Sequence, residues 1–421
     1  MAKISSWLAL SIWGVAAASG QGLHELAVNS GKLLFFGTAT DTNLFNDAAY
    51  MDILNRRGEF GLVVPENSEK WEATEPTEGR FQFNNADMVL GLAQGNQQMF
   101  RCHALTWHSQ LPQFVSSGTW TPETLTAVIE THIANVVGHF KGACYSWDVV
   151  NEALADDGSL RKSVFSRVLG EDFIPISFRA AAAADPDTKL YYNDFSIEFN
   201  SKKTDGAVRI AQDLLVAGVR IDGVGLQSHF EVGKTPSRSV LSNVLSRFTD
   251  MGLEVALTEL DIRHSKVPAD NNALQQQAKD YASVVQTCVE NAKCVGIVAW
   301  EFTDKYSWIP KTFPGTGDAC LFDMNMQPKP AYAAVAEVLQ NAAATRNGTA
   351  QVASIGASGV GTGAGAGTDG GASLSEVQDG AVAAAEVSHS PSASGTGRFD
   401  PLSSIAPLLA SFALVMCLLV L

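Results

Sequence analysis

Ala143-Cys144-Tyr145-Ser146-Trp147-Asp148-Val149-Val150-Asn151-Glu152 is an aromatic and β-branched run that ends abruptly in an amide and a carboxylate. It reads as a buried strand that delivers Asn151 and Glu152 to its C-terminal lip. A second run of the same shape, Leu253 to Asp261, offers Glu259 beside Thr258. One glutamate taken alone is ordinarily a solvated surface charge. Two at strand ends far apart in sequence are what glycosidic bond cleavage requires if the fold unites them, one as proton donor and one as nucleophile or base.

Outward from these two runs, short β-rich segments alternate with amphipathic ones from about residue 22 to 341. The predicted strands are 33–37, 60–65, 98–105, 145–150, 189–193, 223–227, 254–258 and 296–299. Eight strands separated mostly by helices over about 320 residues give an α/β fold of the (β/α)8 TIM-barrel class. A doubly wound open sheet is the alternative. Thr121-Pro122-Glu123 supplies a cap, an N1 proline and an acidic first turn, and Leu125, Val128, Ile129, Ile133 and Val136 follow at helical spacing. Segments 205–215 and 274–288 repeat the pattern, with Gly218 and Gly252 at helix C-caps.

The helical stripes are structural, whereas the strand ends are chemically rich. Strand two runs into Glu66-Asn67-Ser68-Glu69-Lys70-Trp71, and strand three into His103 through Trp107-His108. Strand five leads to Tyr192-Asn193-Asp194, strand six to Gln227-Ser228-His229, and strand eight to Trp300 through Trp308. Barrel enzymes build their sites on this face. Glu152 would be held protonated by burial and by the neighbouring Glu259, since two close carboxylates resist double ionisation. Glu259, kept ionised by donors such as His229, would attack the anomeric carbon. Asn151 is placed for the sugar 2-hydroxyl, and Asp261 for fixing the ring of His229. Trp107, Trp300 and Trp308 supply flat apolar faces for sugars; Glu66, Asn67, Lys70, His103 and Gln227 supply hydrogen-bonding edges. His103, His108 and His229 show no HxH or HExxH spacing, so no metal is expected.

The chain has 421 residues and a formal charge of −15. An acidic surface disfavours nucleic acid and suits a neutral polysaccharide. Residues 1–20, with Lys3 ahead of an apolar run and small residues near Ala18, read as a secretory signal peptide. Secretion makes the cysteines disulfide candidates. Cys288 and Cys294 form the close pair; Cys102, Cys144 and Cys320 cannot all pair among themselves, so a free or intermolecular thiol is expected. Residues 21–341 form the catalytic domain, and 342–397 are a Gly/Ala/Ser/Thr-rich linker of disordered composition, with Asn347 as an N-glycosylation acceptor. Residues 398–421 end in an apolar run that matches a GPI-anchor signal, with Ser392, Ser394 and Gly395 as candidate attachment residues.

The segments Glu66-Asn67 with Lys70-Trp71, His103 through His108, Trp147 through Glu152, Gln227 with His229, Thr258 through Ile262, and Trp300 through Trp308 together resemble glycoside hydrolase family 10. That is the endo-β-1,4-xylanase family, and the chain looks like a fungal member over about residues 22–339. The closing element Leu321-Phe322-Asp323 through Pro328-Lys329-Pro330-Ala331-Tyr332 belongs to the same likeness.

The resemblance implies a retaining glycosidase on an eight-stranded barrel, with Glu152 as acid/base and Glu259 as nucleophile. It assigns Glu66, Asn67 and Lys70 to the non-reducing-side xylose, and His103 and Trp107 to the subsite beside the cut. Asn151, Gln227 and His229 then surround the reacting sugar and nucleophile, and Trp300 and Trp308 form its aromatic wall. The bridge between Cys288 and Cys294 is also a family feature. No cofactor is implied. The expected partners are xylan and xylo-oligosaccharides, together with the outer membrane leaflet through a lipid anchor; a monomer is expected, secreted and held at the fungal cell surface or wall. Two departures stand out: Glu69 where the family commonly has Met, and Glu301-Phe302 in place of Gly-Val. Both put subsite affinity in question more than the reaction. Competing readings are a retaining β-1,4-glucanase, a cell-wall transglycosylase and a non-catalytic carbohydrate-binding surface protein.

Overall fold

Strands buried on both faces read as near-continuous apolar runs and pair in parallel when helices connect them. The computed structural model, which describes residues 21–357 and side chains through 345, assembles such runs into one closed sheet. Its strands are β1 (Phe35–Thr40), β2 (Leu62–Pro65), β3 in two pieces (Met99–Phe100 and Thr106–Trp107), β4 (Ser146–Asn151), β5 (Lys189–Asp194), β6 (Gly223–Leu226), β7 (Glu254–Arg263) and β8 (Cys294–Ala299). Every strand ladder in it is parallel. β1 lies between β8 and β2, and β7 joins β6 to β8.

The third strand departs from the expected continuous 98–105. Its first piece pairs β2 and its second pairs β4, so this interrupted segment closes the ring. Between the pieces, Arg101 and His103 are buried on Asp148 of β4. A short strand absent from the sequence reading, His229–Glu231, extends from the lip of β6 and pairs with β7.

Alternation along each strand divides the core. Phe36, Val63, Trp147, Leu190, Val224, Leu257 and Ile297 face the helices. Phe35, Leu62, Val64, Tyr191, Ala256 and Val298 fill the barrel interior under Trp300. Small residues make room there: a Cβ added at Gly296 would lie 2.2 Å from the Phe35 ring, and one at Gly225 would lie 2.2 Å from Asn193 Oδ1.

The helices follow their start and stop signals. Pro122–His139 begins at Thr121, whose hydroxyl accepts the Thr124 N–H, and buries Leu125, Ile129, Ile133 and Val136. Helices 202–216 and 271–290 are capped by Ser201 and Asp270. Gly218 and Gly252 follow helices at φ +64° and +95°, a conformation that glycine adopts without a Cβ penalty. The last helix, Pro330–Ala357, runs past the expected boundary at 341. Asn347 lies in that helix, its side chain outside the described residues; the signal peptide, the remainder of the linker, Cys417, Ser392, Ser394, Gly395 and the apolar end also lie outside them. Among the described residues no helix is long and apolar enough to cross a membrane.

Cys288 pairs with Cys294, and Cys102 with Cys144, which leaves Cys320 as a buried free thiol among the described residues. The 42-residue separation closes a larger unfolded-state loop than the 6-residue one. Chain-entropy stabilisation is accordingly about 4 kcal/mol for the first bridge and about 2 for the second. The Cys102→Ala/Cys144→Ala double variant is therefore expected to melt below Cys288→Ala/Cys294→Ala in calorimetry; the reverse order would contradict this assignment of their weights.

Candidate active site

Both glutamate-bearing strands carry one extra residue just before their carboxylate. Against β5, Asp148 pairs with Tyr191 and Val150 with Tyr192, so Val149 is the surplus residue. Against β8, Leu257 pairs with Ile297 and Leu260 with Ala299, which leaves Thr258 and Glu259 opposite Val298 alone. Bulges of this kind re-aim side chains beside active sites. Glu152 itself adopts φ +56° and donates its N–H to the Asn193 carbonyl at 2.9 Å.

The two lips meet through Asn193. Its Nδ2 donates to Asn151 Oδ1 at 2.9 Å and to Glu259 Oε1 at 2.8 Å, while its Oδ1 accepts the Thr258 hydroxyl at 2.6 Å. Gln227 Nε2 donates to Glu152 Oε1 at 3.1 Å and to Asn151 Oδ1 at 3.2 Å. The other oxygen of Glu152 lies 3.7 Å from His108 Nδ1.

Glu259 Oε2 lies 3.2 Å from His229 Nε2, and His229 Nδ1 lies 2.9 Å from Asp261 Oδ2. Trp308 Nε1 donates to the same Asp261 oxygen at 2.8 Å. Burial alone would raise the Glu259 pKa, but the His229 hydrogen bond, the nearby His103 and the Asn193 amide hold it at about 2. Burial would likewise depress His229, yet Asp261 and Glu259 raise it to about 10. The result is an imidazolium clamped between two carboxylates, which keeps Glu259 ionised.

The sign of each shift fixes its pH window. His229, raised above 6.5, contributes stability that is complete below pH 6.5 and lost as pH climbs through about 10. Glu259, lowered from 4.5, contributes above pH 4.5 and loses this as pH falls through about 2. Replacing His229 removes the donor that opposes burial. His229→Asn is expected to move the acid limb of kcat/KM upward by at least about one pH unit. An unmoved limb in a pH–rate profile would refute the dependence of Glu259 on His229.

The lips enclose a cleft of about 930 Å³. Glu66, Asn67, Lys70, His103, Trp107, Asn151, Glu152, Gln227, His229, Glu259, Trp300 and Trp308 all line it, and Asp261 stands behind Trp308 and His229. Lys70 Nζ donates to Asn67 Oδ1 at 3.1 Å and sits 4.7 Å from the Trp107 ring centre. His103 packs edge-on against Trp300 and holds Asp148 through Nδ1 at 2.7 Å. Asp148 also accepts Arg101, which cancels the charge inside the barrel.

Of the two departures, Glu69 does not line the cleft. Fully buried, it accepts the His103 N–H at 2.8 Å, and burial raises its carboxyl well above the ordinary range. Glu301 does line the cleft. Gln110, Phe195, Ser196 and Arg263 are further lining residues that the sequence reading did not single out. Gln110 donates to Asn67 Oδ1 at 3.2 Å, and its one signal was its place at the end of the polar run His108-Ser109-Gln110. Among the described residues, the grouping with metal-ligand spacing is Glu69 with Cys102 and Cys144, but both sulfurs are spent in a disulfide.

The model of the family "Glycosyl hydrolase family 10" matches residues 22–338. Endo-1,4-beta-xylanase 5 of Pyricularia oryzae is 60% identical over 329 residues, covering 78% of this chain and 81% of that protein. Endo-1,4-beta-xylanase 1 of Humicola insolens is 53% identical over 338 residues, covering 80% and 78%. Among solved structures, Penicillium canescens endo-1,4-beta-xylanase XylE superposes with a TM-score of 0.74 at 42% identity, over 76% of this chain and 98% of that one. Native xylanase 10B of Thermotoga maritima gives 0.74 at 37% identity, over 77% and 99%.

Proposed function

Because the chain belongs to glycosyl hydrolase family 10, we propose that Glu152 and Glu259 carry its endo-β-1,4-xylanase activity by a retaining double displacement. The observation that carries this reading is the asymmetry of the two carboxyls. Glu259 is held ionised by His229 and Asn193, as a nucleophile requires. Glu152 stands on the opposite lip, half-buried, with Gln227 on one oxygen, as suits a group that must exchange protons with substrate and water.

In the first step Glu259 attacks the anomeric carbon while Glu152 protonates the departing xylosyl oxygen, and a covalent xylosyl–enzyme ester forms. In the second, Glu152 takes a proton from water, whose oxygen attacks the same carbon and releases Glu259. Asn151, oriented by Asn193 and Gln227 through its carbonyl, presents its amide to the reacting sugar. Glu66, Asn67 and Lys70 hold the next xylose on the non-reducing side, and Trp107, Trp300 and Trp308 line its path. Two carboxyl groups and water complete the cycle without a cofactor.

The test is the anomeric form of the first product. Proton NMR on xylan should show β-xylo-oligosaccharides before mutarotation; initial α-products would overturn retention, and products from barley glucan alone would overturn the substrate.

The proposal extends to location. The signal-like residues 1–20 support secretion, and the apolar end with small residues near 392–395 supports a lipid anchor at the cell surface or wall. Release of the enzyme from intact cells by a phosphatidylinositol-specific phospholipase would support the anchor, and full recovery in untreated medium would reject it.

A further inference from the structure

Glu301 takes no part in the two displacement steps, yet it is buried in the wall of the cleft with 3% exposure. It follows β8 at φ +57°, a left-handed conformation that side-chain-bearing residues rarely adopt. Glycine would sit there freely. A residue kept against its backbone preference points to work by its side chain.

Its contacts identify that work. Oε2 accepts the Trp308 backbone N–H at 2.8 Å. Glu66 lines the same cleft wall, close enough for the two carboxyls to share a proton. Burial first, then the charge of Glu66, push the Glu301 pKa up to about 10. Glu301 is therefore a neutral acid at working pH, with one O–H to give and one oxygen to receive. The O–H goes to Glu66, on the lip of β2; the oxygen receives Trp308, on the loop after β8. Trp308 in turn reaches Asp261 through its indole, and Asp261 contacts His229 beside Glu259.

We propose that Glu301 is a positioning residue that fixes Glu66 against Trp308, and so sets how tightly the xylose on the non-reducing side of the reacting sugar is held. A carboxylate pair left unlinked would repel and splay; the shared proton turns the same pair into a strut. One oxygen of Glu66 is then spent on Glu301, and the other faces a sugar hydroxyl. This rests on the xylanase reading above.

The experiment compares wild type, Glu301→Gly and Glu301→Gln on xylotetraose and on an aryl β-xyloside that occupies only the reacting-sugar site on the non-reducing side. Glu301→Gly relieves the backbone and is expected to fold with an undiminished thermal midpoint. On xylotetraose its KM should rise about tenfold with kcat changed far less, since a hydrogen-bonded partner of a binding group is lost. The loss in kcat/KM on xylotetraose should exceed that on the aryl xyloside at least about fivefold. Glu301→Gln, whose amide donates to Glu66 and whose carbonyl accepts from Trp308, should restore KM. An unchanged KM in Glu301→Gly, equal losses on both substrates, or no rescue by a folded Glu301→Gln would overturn the proposal alone. A wild type inactive on xylotetraose and xylan would overturn the xylanase reading, and this proposal with it.

Discussion

Replacing Glu259 with alanine is expected to lower kcat on xylan by at least about 10⁴-fold, because the covalent route closes when the attacking carboxylate is gone. The side chain is otherwise poorly replaceable. It is the shared target of Asn193 and His229. Removal leaves the imidazolium paired with Asp261 alone, so the variant should fold and still bind xylan. Added azide can enter the vacated space and attack the anomeric carbon from the nucleophile's side. With an aryl β-xyloside, turnover should return and the product should be the α-xylosyl azide. Kinetics and product NMR read both effects. A variant within tenfold of wild type on xylan, or one rescued to the β-azide, would show that Glu259 is not the nucleophile.

Replacing Glu152 with alanine should act differently on different leaving groups. Loss of general acid assistance is expected to cost on the order of 10³-fold on xylan, where a sugar hydroxyl departs. Aryl xylosides with acidic phenols need little protonation, so their first step should suffer far less. The second step, which needs a base to activate water, should then become limiting, and a burst of phenol should appear. A plot of kcat/KM against leaving-group pKa separates the cases: steep in the variant, shallow in wild type. A uniform drop across the series would remove Glu152 from the proton-transfer role.

Much of the scaffold was legible because its physics is local. Buried parallel strands have to be apolar runs, so strands read at 145–150 and 254–258 announced themselves, and the helix cap at Thr121 follows from one hydroxyl before an amphipathic segment; Ser201 and Asp270, which cap helices read as starting at 205 and 274, were not foreseen. The polar lips were readable for a similar reason: Asn151-Glu152 interrupts hydrophobicity where β4 ends, and Thr258-Glu259 does so where β7 was expected to end, although that strand continues to Arg263 by pairing with His229–Glu231.

Barrel closure, by contrast, is non-local and left weaker traces. The break in β3 was hidden because Arg101 and His103 look like strand residues until Asp148 is placed opposite them. The pairing of Cys102 with Cys144 depends on β3 and β4 being neighbours, as the bridge between Cys102 and Trp147 shows. Asn193 was visible as a strand-end amide, but nothing in its own segment says that it reaches both Asn151 and Glu259. Those contacts depend on a bare Gly225 next door and on one-residue bulges in two other strands. The proposed link between Glu66 and Glu301, which line one cleft, joins the second and eighth lips, 235 positions apart by numbering (301 − 66).

The amide of Asn193 has an implication for how this enzyme can change. Its two donations tie the Asn151-Glu152 lip to the Glu259 lip from strands whose backbone ladders fix their height in the sheet. The gap between the two carboxyls, on which stereochemical outcome depends, is therefore a dimension of the chassis, while the residues proposed to grip the sugar lie at the ends of β2, β3 and β8 and on the loops beyond them. Selection or engineering can exchange those loops and retune which branched xylans are accepted, step by step. Converting the enzyme from retention to inversion offers no such gradual path, since it would require moving a strand.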